Sequence, residues 1–220
     1  AISRVNSLSL EIKQRLGNLI YSDEKEDTLD RALGRILTQY GYRLATAESC
    51  TGGLMGHMLT ETPGSSAYVQ GGIIAYNNAI KMSQLGVDAA IIEQKGAVSA
   101  EVALQMAKGV AKRMDVECGI SSTGVAGPGG GSPEKPVGTV WIGFFTPNQH
   151  FAVRAVFSNS RSLNKLQSVI TGFEILRRCL LGMDELPYNL QKVYSDSLEQ
   201  VDQAKKGQSH TLPSGDSMHL

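Results

Sequence analysis

A short run of small and polar residues, Glu48-Ser49-Cys50-Thr51-Gly52-Gly53, carries the first candidate chemistry. It stands where a predicted strand passes into a predicted helix, so the turn presents backbone N–H groups and the positive end of a helix dipole. The glycines let a ligand approach the main chain, and open α/β sheets bind ligands at the carboxyl ends of their strands. Because serine is also a common helix cap, Ser49 is either a capping residue or a functional one.

Two further stretches could contribute to the same site. Residues 124–138 contain six glycines and three prolines between two predicted strands, which is typical of a flexible connector or of a backbone-lined anion site. They form no P-loop, because no Gly-Lys-Ser/Thr closes them, and Ser132 interrupts a GxGxxG pattern. Tyr76, Asn78 and Lys81 follow another predicted strand, where they are either ordinary turn and surface residues or ligand contacts.

Other kinds of catalytic site find little support in the sequence. The four histidines are scattered, and no HExxH motif or paired cysteine spacing is present, so we predict no metal ion and no cofactor. Neither His57 nor His150 has a context that suggests a Ser-His-Asp triad. Cys50 is a rival nucleophile beside Ser49, since the N-terminus of a helix would favour its thiolate.

The composition limits the class of protein. The 220 residues fit one domain with appendages. Lys plus Arg equals Asp plus Glu, at 21 each, so no overall charge favours nucleic acid or an anionic membrane. Three widely spaced cysteines suit a reducing compartment, and no apolar run is long enough to span a bilayer. We therefore predict a cytoplasmic protein without nucleic-acid or membrane partners.

Strand and helix patterns alternate along the chain. An amphipathic stripe predicts a helix from Thr28 to Tyr40, with Gly41 as its stop. The predicted strands span 42–48, 68–76, 117–123, 137–145 and 150–157. The other predicted helices span 52–61, 99–114 and 161–181. The alternation predicts a three-layer α/β/α sandwich, and the hairpin near residue 147 makes its mostly parallel sheet mixed.

The same patterns divide the chain into three parts. We expect residues 1–27 to form a connector or arm, residues 28–182 to form the core domain, and residues 183–220 to form a peripheral helix followed by a disordered tail. The last fifteen residues are polar and contain glycine and proline, which disfavours a packed core.

Four strings in this order resemble the CinA C-terminal domain family, which includes stand-alone nicotinamide-nucleotide amidohydrolases. They are LATAESCTGGL at 44–54, PGSSAYVQGGIIAYNNAIK at 63–81, GAVSAEVA at 96–103 and STGVAGPGGGSPEKPVGTVWIGF at 122–144. The resemblance covers residues 28–181, and residues 8–30 are similar to the segment that joins this domain to an upstream domain in longer members. It implies an α/β/α fold and metal-independent conversion of nicotinamide mononucleotide to nicotinate mononucleotide and ammonia.

The resemblance also implies roles for particular residues. Ser49 is the catalytic serine and Lys81 its paired lysine, and the basic position at the start of the last helix falls at Arg161 or Lys165. A lysine lacks the planar fork that suits a phosphate, so Lys165 is the weaker candidate. The substrate contacts expected from the resemblance are Glu48, Cys50, Thr51, Gly52, Gly53, Tyr76, Asn78, Thr123, Gly124, Ala126, Gly127, Gly129, Gly130, Arg161 and Lys165.

The sequence allows two interpretations of the function. In the first, the chain is an active amidohydrolase, and the apolar positions around 137–157, together with the habits of the family, suggest a homodimer. In the second, it is a catalytically weak or inactive nucleotide-binding or regulatory module that keeps the pocket. The residues around Lys81 depart from the pattern usual in the family, which leaves room for the second reading.

Overall fold

The computed structural model describes residues 2–183 and 185–194, and within them a single sheet runs through the centre of the molecule. The strands are β1 (Leu44–Glu48), β2 (Val69–Ile74), β3 (Cys118–Gly124), β4 (Thr139–Phe145), β5 (His150–Val156) and β6 (Lys192–Tyr194). The helices are α1 (Ile2–Leu16), α2 (Leu29–Tyr40), α3 (Leu54–Thr60), α4 (Asn78–Leu85), α5 (Ala89–Lys95), α6 (Ala100–Met114) and α7 (Arg161–Leu180).

The sheet has the order β2-β1-β3-β4-β5-β6 and is mixed, as the sequence predicts. Strand β1, next to the edge strand β2, pairs in parallel with β2 and β3, so that Glu48 lies beside Ile74 on one side and Ser122 on the other. The remaining three pairings are antiparallel. The expectation of a mostly parallel sheet therefore needs correction, because parallel pairing is confined to the half of the sheet that holds β1.

Helices cover both faces of this sheet and complete the three layers. On one face α2, α3 and α7 bury an apolar cluster that includes Leu33, Leu37, Met55, Ile120, Phe144, Phe173 and Leu176. On the other face α4, α5 and α6 pack through a cluster that includes Ala47, Leu85, Val102, Met106 and Val110. Burial of each large apolar side chain stabilises the fold by about 1.5–3 kcal/mol relative to leaving it exposed.

Helix α4 is held against α6 by an unusually close contact. A Cβ atom on Gly109 of α6 would lie only 1.9 Å from the carbonyl oxygen of Leu85, the last residue of α4. Any larger residue at position 109 would therefore push α4 outward. Because α4 also carries Lys81, this contact fixes the distance of that lysine from the centre of the sheet.

Some elements differ from the sequence predictions. Helices α4 and α5 were not predicted, since residues 78–95 show no long apolar stripe. In place of the peripheral helix expected over 185–205, the part up to residue 194 forms a short 3₁₀ turn (Pro187–Asn189) and edge strand β6. The rest of that expected helix and the expected disordered tail lie outside the described residues. In residues 2–183 and 185–194, no helix has the length and hydropathy needed to cross a membrane.

Candidate active site

A cleft of about 270 Å³ opens at the carboxyl ends of β1, β2 and β3. The turn after β1, the start of α4, the segment before α6 and the loop after β3 surround it. The residues that line it are Ser49, Cys50, Tyr76, Asn78, Lys81, Ala97, Val98, Thr123, Gly124, Val125, Ala126, Gly127, Gly129 and Arg161. Three stretches that are far apart in the sequence thus meet at one edge of the sheet, where parallel strands end together.

Ser49 lies at the floor of this cleft, directly after β1. Its backbone N–H donates to the carbonyl oxygen of Ser122 at 2.9 Å, which extends the β1–β3 pairing by one residue. The residue is buried, with only 8% of its surface exposed, so its hydroxyl is shielded from bulk water. The side-chain oxygen accepts from Lys81, and the first N–H groups of α3 donate to Glu48 rather than to Ser49.

Lys81 is the largest fully buried side chain among the described residues. Helix α4 begins at the capping residue Asn77, whose side chain accepts from the N–H of Ala79, and Lys81 follows on the inner face. Its Nζ donates to Ser49 Oγ at 3.2 Å, to the carbonyl oxygen of Ala75 at 2.9 Å and to that of Tyr76 at 3.4 Å. These three acceptors are uncharged.

Burial lowers the pKa of Lys81, because an ammonium group that is removed from water loses its hydration. Burial acts in the opposite sense on the neighbouring thiol and raises the pKa of Cys50 to about 11. Burial therefore works against the thiolate that the sequence led us to expect at Cys50, and α3 begins only at Leu54, four residues further on. Ser49 faces a lysine that is easier to deprotonate, and Cys50 is held as a neutral thiol.

Several of the predicted substrate contacts lie outside the cleft lining and serve the turn itself. The carboxylate of Glu48 points under the turn and accepts from the backbone N–H groups of Gly53, Met55 and Gly56. Thr51 shares a hydrogen bond of 2.6 Å with Ser122, and both hydroxyls are buried. Gly52 and Gly53 have φ values of +63° and +97°, which allow the turn its shape.

The glycine-rich loop forms the opposite wall. Its first part, Thr123 to Gly129, lines the cleft, whereas Gly130 packs toward Val125 instead. Arg161 Nη1 donates to the carbonyl oxygen of Gly127 at 2.6 Å, and the Asn164 side chain donates to that of Ala126 at 3.1 Å. Both of these side chains belong to α7, so the first turns of α7 hold the loop in place.

The structure distinguishes the two basic residues at the start of α7. Arg161 lines the cleft, and its Nη2 also donates to the hydroxyl of Tyr76 at 3.1 Å, which joins the two walls at the mouth. Lys165 lies one turn further along α7, outside the cleft lining, with its Nζ 3.5 Å from the position that a Cβ atom on Gly52 would take. Arg161 is therefore the residue placed to meet a ligand in the cleft.

Two lining residues were missed by sequence reasoning: Ala97 and Val98. Thr123 Oγ1 donates to the carbonyl oxygen of Ala97 at 2.7 Å, which ties the segment before α6 to the end of β3. The string 96–103 carried a signal for this wall, since it is one of those that resemble the family. Within the described part of the chain, no group of three His, Cys, Asp or Glu side chains is placed to hold a metal ion.

Comparison with known proteins agrees with this architecture. The family model for the CinA C-terminal domain matches residues 26–180. The chain belongs to the CinA C-terminal domain family. A CinA-like protein of Cyanothece sp. is 44% identical over 185 residues, covering 83% of this chain and 44% of the relative. A CinA-like protein of Salinibacter ruber is 43% identical over 178 residues, covering 81% and 43%. This CinA-family chain thus spans less than half the length of these relatives.

Solved structures of the CinA superfamily share the fold. The competence/damage inducible protein CihA from Agrobacterium tumefaciens has 40% identity and a TM-score of 0.65, covering 70% of this chain and 93% of its own. A CinA superfamily protein from Enterobacter cloacae has 26% identity and a TM-score of 0.67, covering 72% and 98%. The names of these relatives and solved structures state no enzymatic activity.

Proposed function

We propose that this CinA domain is a metal-independent amidohydrolase that converts nicotinamide mononucleotide to nicotinate mononucleotide and ammonia. Ser49 is the nucleophile and Lys81 is its base. The observation that carries this proposal is the 3.2 Å contact between Lys81 Nζ and Ser49 Oγ at the buried floor of the cleft. The resemblance to nicotinamide-nucleotide amidohydrolases supports this choice of substrate.

The surroundings of Lys81 suit a base. A neutral amine has two N–H groups and one lone pair, and the carbonyl oxygens of Ala75 and Tyr76 can accept both N–H groups. The lone pair then faces the hydroxyl of Ser49. Because burial lowers the pKa of Lys81, the neutral form is populated nearer to neutral pH than that of an exposed lysine.

The proposed reaction has two halves. Ser49 Oγ attacks the carboxamide carbon while Lys81 takes the hydroxyl proton, and the same proton then passes to the leaving nitrogen as ammonia departs. Water next attacks the acyl-enzyme with Lys81 again as base, which releases the carboxylate and restores the serine. We place the donors for the developing oxyanion among the backbone N–H groups of the turn that follows Ser49, and each such donor contributes roughly 3 kcal/mol.

The arrangement of the walls suggests where the substrate phosphate binds. The carboxylate of Glu48 already accepts from the first N–H groups of α3, so the N-terminus of α3 is not free to bind the substrate phosphate. Across the cleft, the glycine-rich loop presents main-chain groups, and Arg161 supplies a guanidinium. We therefore assign the phosphate to the part of the loop that lines the cleft, residues 124–129, and to Arg161.

Release of ammonia from a panel of pyridine nucleotides tests the proposal, with the products identified by mass spectrometry. We expect turnover of the mononucleotide, and poor turnover of free nicotinamide and NAD, because the first lacks the phosphate and the second has it esterified. Chelators should leave the rate unchanged. Equal turnover of free nicotinamide would contradict the phosphate assignment. Nucleotide binding without any ammonia release would favour a regulatory module that keeps the pocket.

We also propose that the protein acts as a homodimer in the cytoplasm. The three cysteines, Cys50, Cys118 and Cys179, are free and buried, which is compatible with a reducing compartment. Sedimentation at micromolar concentration tests the dimer, and a monomer there would refute it without affecting the proposed chemistry.

A further inference from the structure

Glu48 is a buried carboxylate whose hydrogen bonds span the turn that contains Ser49, the proposed nucleophile. Only 2% of its surface is exposed. Its Oε2 accepts from the N–H groups of Gly53 and Met55 at 2.9 and 3.0 Å, and its Oε1 accepts from that of Gly56 at 2.9 Å. Three backbone donors thus converge on one side chain at the start of α3.

These contacts close a ring around the turn. Glu48 is the last residue of β1, and its side chain accepts a hydrogen bond from the N–H of Gly53. Residues 49–52 therefore form a loop whose two ends are joined by this hydrogen bond. The N–H of Ser49 is fixed from the other side by the carbonyl oxygen of Ser122. The Glu48 carboxylate thus closes a small hydrogen-bonded ring of residues 48–53. The position of Ser49 relative to Lys81 depends on that ring.

We propose that Glu48 is a positioning residue, which acts through the N-terminus of α3 to hold the Ser49 hydroxyl on Lys81 Nζ. It takes the place that a bound anion would take at a helix N-terminus, where N–H groups and the helix dipole favour negative charge. This inference rests on the proposed function only in naming Ser49 as the nucleophile, and it does not depend on which amide is the substrate.

A carboxylate is favoured at this position because its three backbone partners are all donors, and the hydroxyl of Thr46 also donates to Oε1 at 3.5 Å. A glutamine has one oxygen and one NH₂ group, so its NH₂ would face at least one backbone N–H, and that donor would lose its acceptor. Glu48→Gln keeps the size of the side chain and tests the acceptor alone. Glu48→Ala removes the ring closure entirely and carries a larger risk to folding.

Labelling of Ser49 by a small fluorophosphonate, followed by intact-protein mass, reports on the nucleophile without any nucleotide. We expect the wild-type chain to be labelled and Ser49→Ala to be inert. The labelling rate of Glu48→Gln should be about a tenth of the wild-type rate or lower. In turnover of nicotinamide mononucleotide, Glu48→Gln should lower kcat by a similar factor with little change in KM, because the phosphate contacts lie on the other wall.

Asp88→Ala provides the matched control. Asp88 caps α5 by accepting from the N–H of Ala90, so its loss also removes a carboxylate from a helix start, at a distance from the turn after β1. It should lower the melting temperature and leave the labelling rate unchanged. A folded Glu48→Gln variant that is labelled at the wild-type rate, or a wild-type chain that is not labelled at all, would overturn the inference. Labelling that behaves as expected without any ammonia release would refute the proposed substrate and leave the role of Glu48 intact.

Discussion

The turn that carries Ser49 and the glycine-rich loop opposite it are held by different kinds of contact. The turn is fixed from below by buried groups, through the carboxylate of Glu48 and the paired hydroxyls of Thr51 and Ser122. The loop is held by side chains of other elements, which reach its carbonyl oxygens over long sequence separations. A wall fixed by its own turn can keep reacting atoms in register, whereas a loop held only by side chains of other elements can adjust to a ligand.

Because of this difference, we expect the turn and the loop to affect different kinetic constants. Substitutions at the turn and at Lys81 should act mainly on kcat, since they change the groups that react. Substitutions at the contacts that hold the loop should act mainly on KM, since they change how the nucleotide is bound.

The largest effect is expected from loss of the paired residues. Ser49→Ala should lower kcat by roughly four orders of magnitude or more while the mononucleotide still binds, and Lys81→Met should do nearly the same, because residues of one catalytic unit fail together. Lys81→Arg should not restore activity, since a guanidinium stays protonated. Single-turnover kinetics measure the loss of the chemical step, and calorimetry measures whether the mononucleotide still binds. A Lys81→Met variant with substantial activity would remove Lys81 from the mechanism.

The pH dependence should follow the same pair. The base must be neutral, and burial lowers the pKa of Lys81 below the ordinary value for lysine, so kcat should rise with pH and level off above that lowered pKa. The rising limb should be absent from the residual activity of Lys81→Met. A profile that stays flat through the whole range below the ordinary lysine pKa would contradict a lysine base.

Arg161 provides the strongest test of the loop wall. Arg161→Leu removes the guanidinium that holds Gly127 and Tyr76 and that we assign to the phosphate, so KM should rise by about 10- to 100-fold with a smaller change in kcat. Lys165→Met serves as the control, because Lys165 lies outside the cleft lining. If Lys165→Met raised KM as much as Arg161→Leu, the phosphate would have to be placed elsewhere.

Lys135 should give a smaller effect of the same type. Its Nζ donates to the carbonyl oxygen of Lys95 at 2.8 Å, which ties the far end of the glycine-rich loop to the end of α5 and so to the wall at Ala97. Lys135→Met should raise KM by about 2- to 10-fold. The exposed Lys112 on α6 offers a matched control, and Lys112→Met should leave both kinetic constants unchanged.

The sequence could predict the strongly periodic elements but not the contacts that give the site its shape. Helices α6 and α7 have long apolar stripes and were predicted almost to their ends, whereas α4 has no such stripe, and Lys81 viewed alone resembles any surface lysine. The bond between Arg161 and Tyr76 joins residues 85 positions apart, which no local pattern reveals.

Glu48 shows a different kind of error. A carboxylate beside a serine suggests a substrate contact, and Glu48 was assigned to one. Side chains alternate along a strand, so Thr46 and Glu48 lie on the same face of β1. Both approach Gly56 of α3, which places them under the turn rather than in the cleft. The alternation was readable from the sequence, but the position of α3 against that face depended on tertiary packing.

The smallest effect is expected at Cys50, which lines the cleft beside Ser49 and belongs to the same turn. Burial raises the pKa of its thiol to about 11, so only about one molecule in ten thousand carries the thiolate at pH 7. Cys50→Ser and Cys50→Ala should therefore keep most of the wild-type kcat, and iodoacetamide at neutral pH should inactivate the enzyme slowly if at all. Turnover of both variants beside Ser49→Ala is the measurement. A Cys50→Ala variant as inactive as Ser49→Ala, in a chain that still melts cooperatively, would transfer the nucleophile to Cys50 and show that the turn positions a thiol rather than a hydroxyl for Lys81.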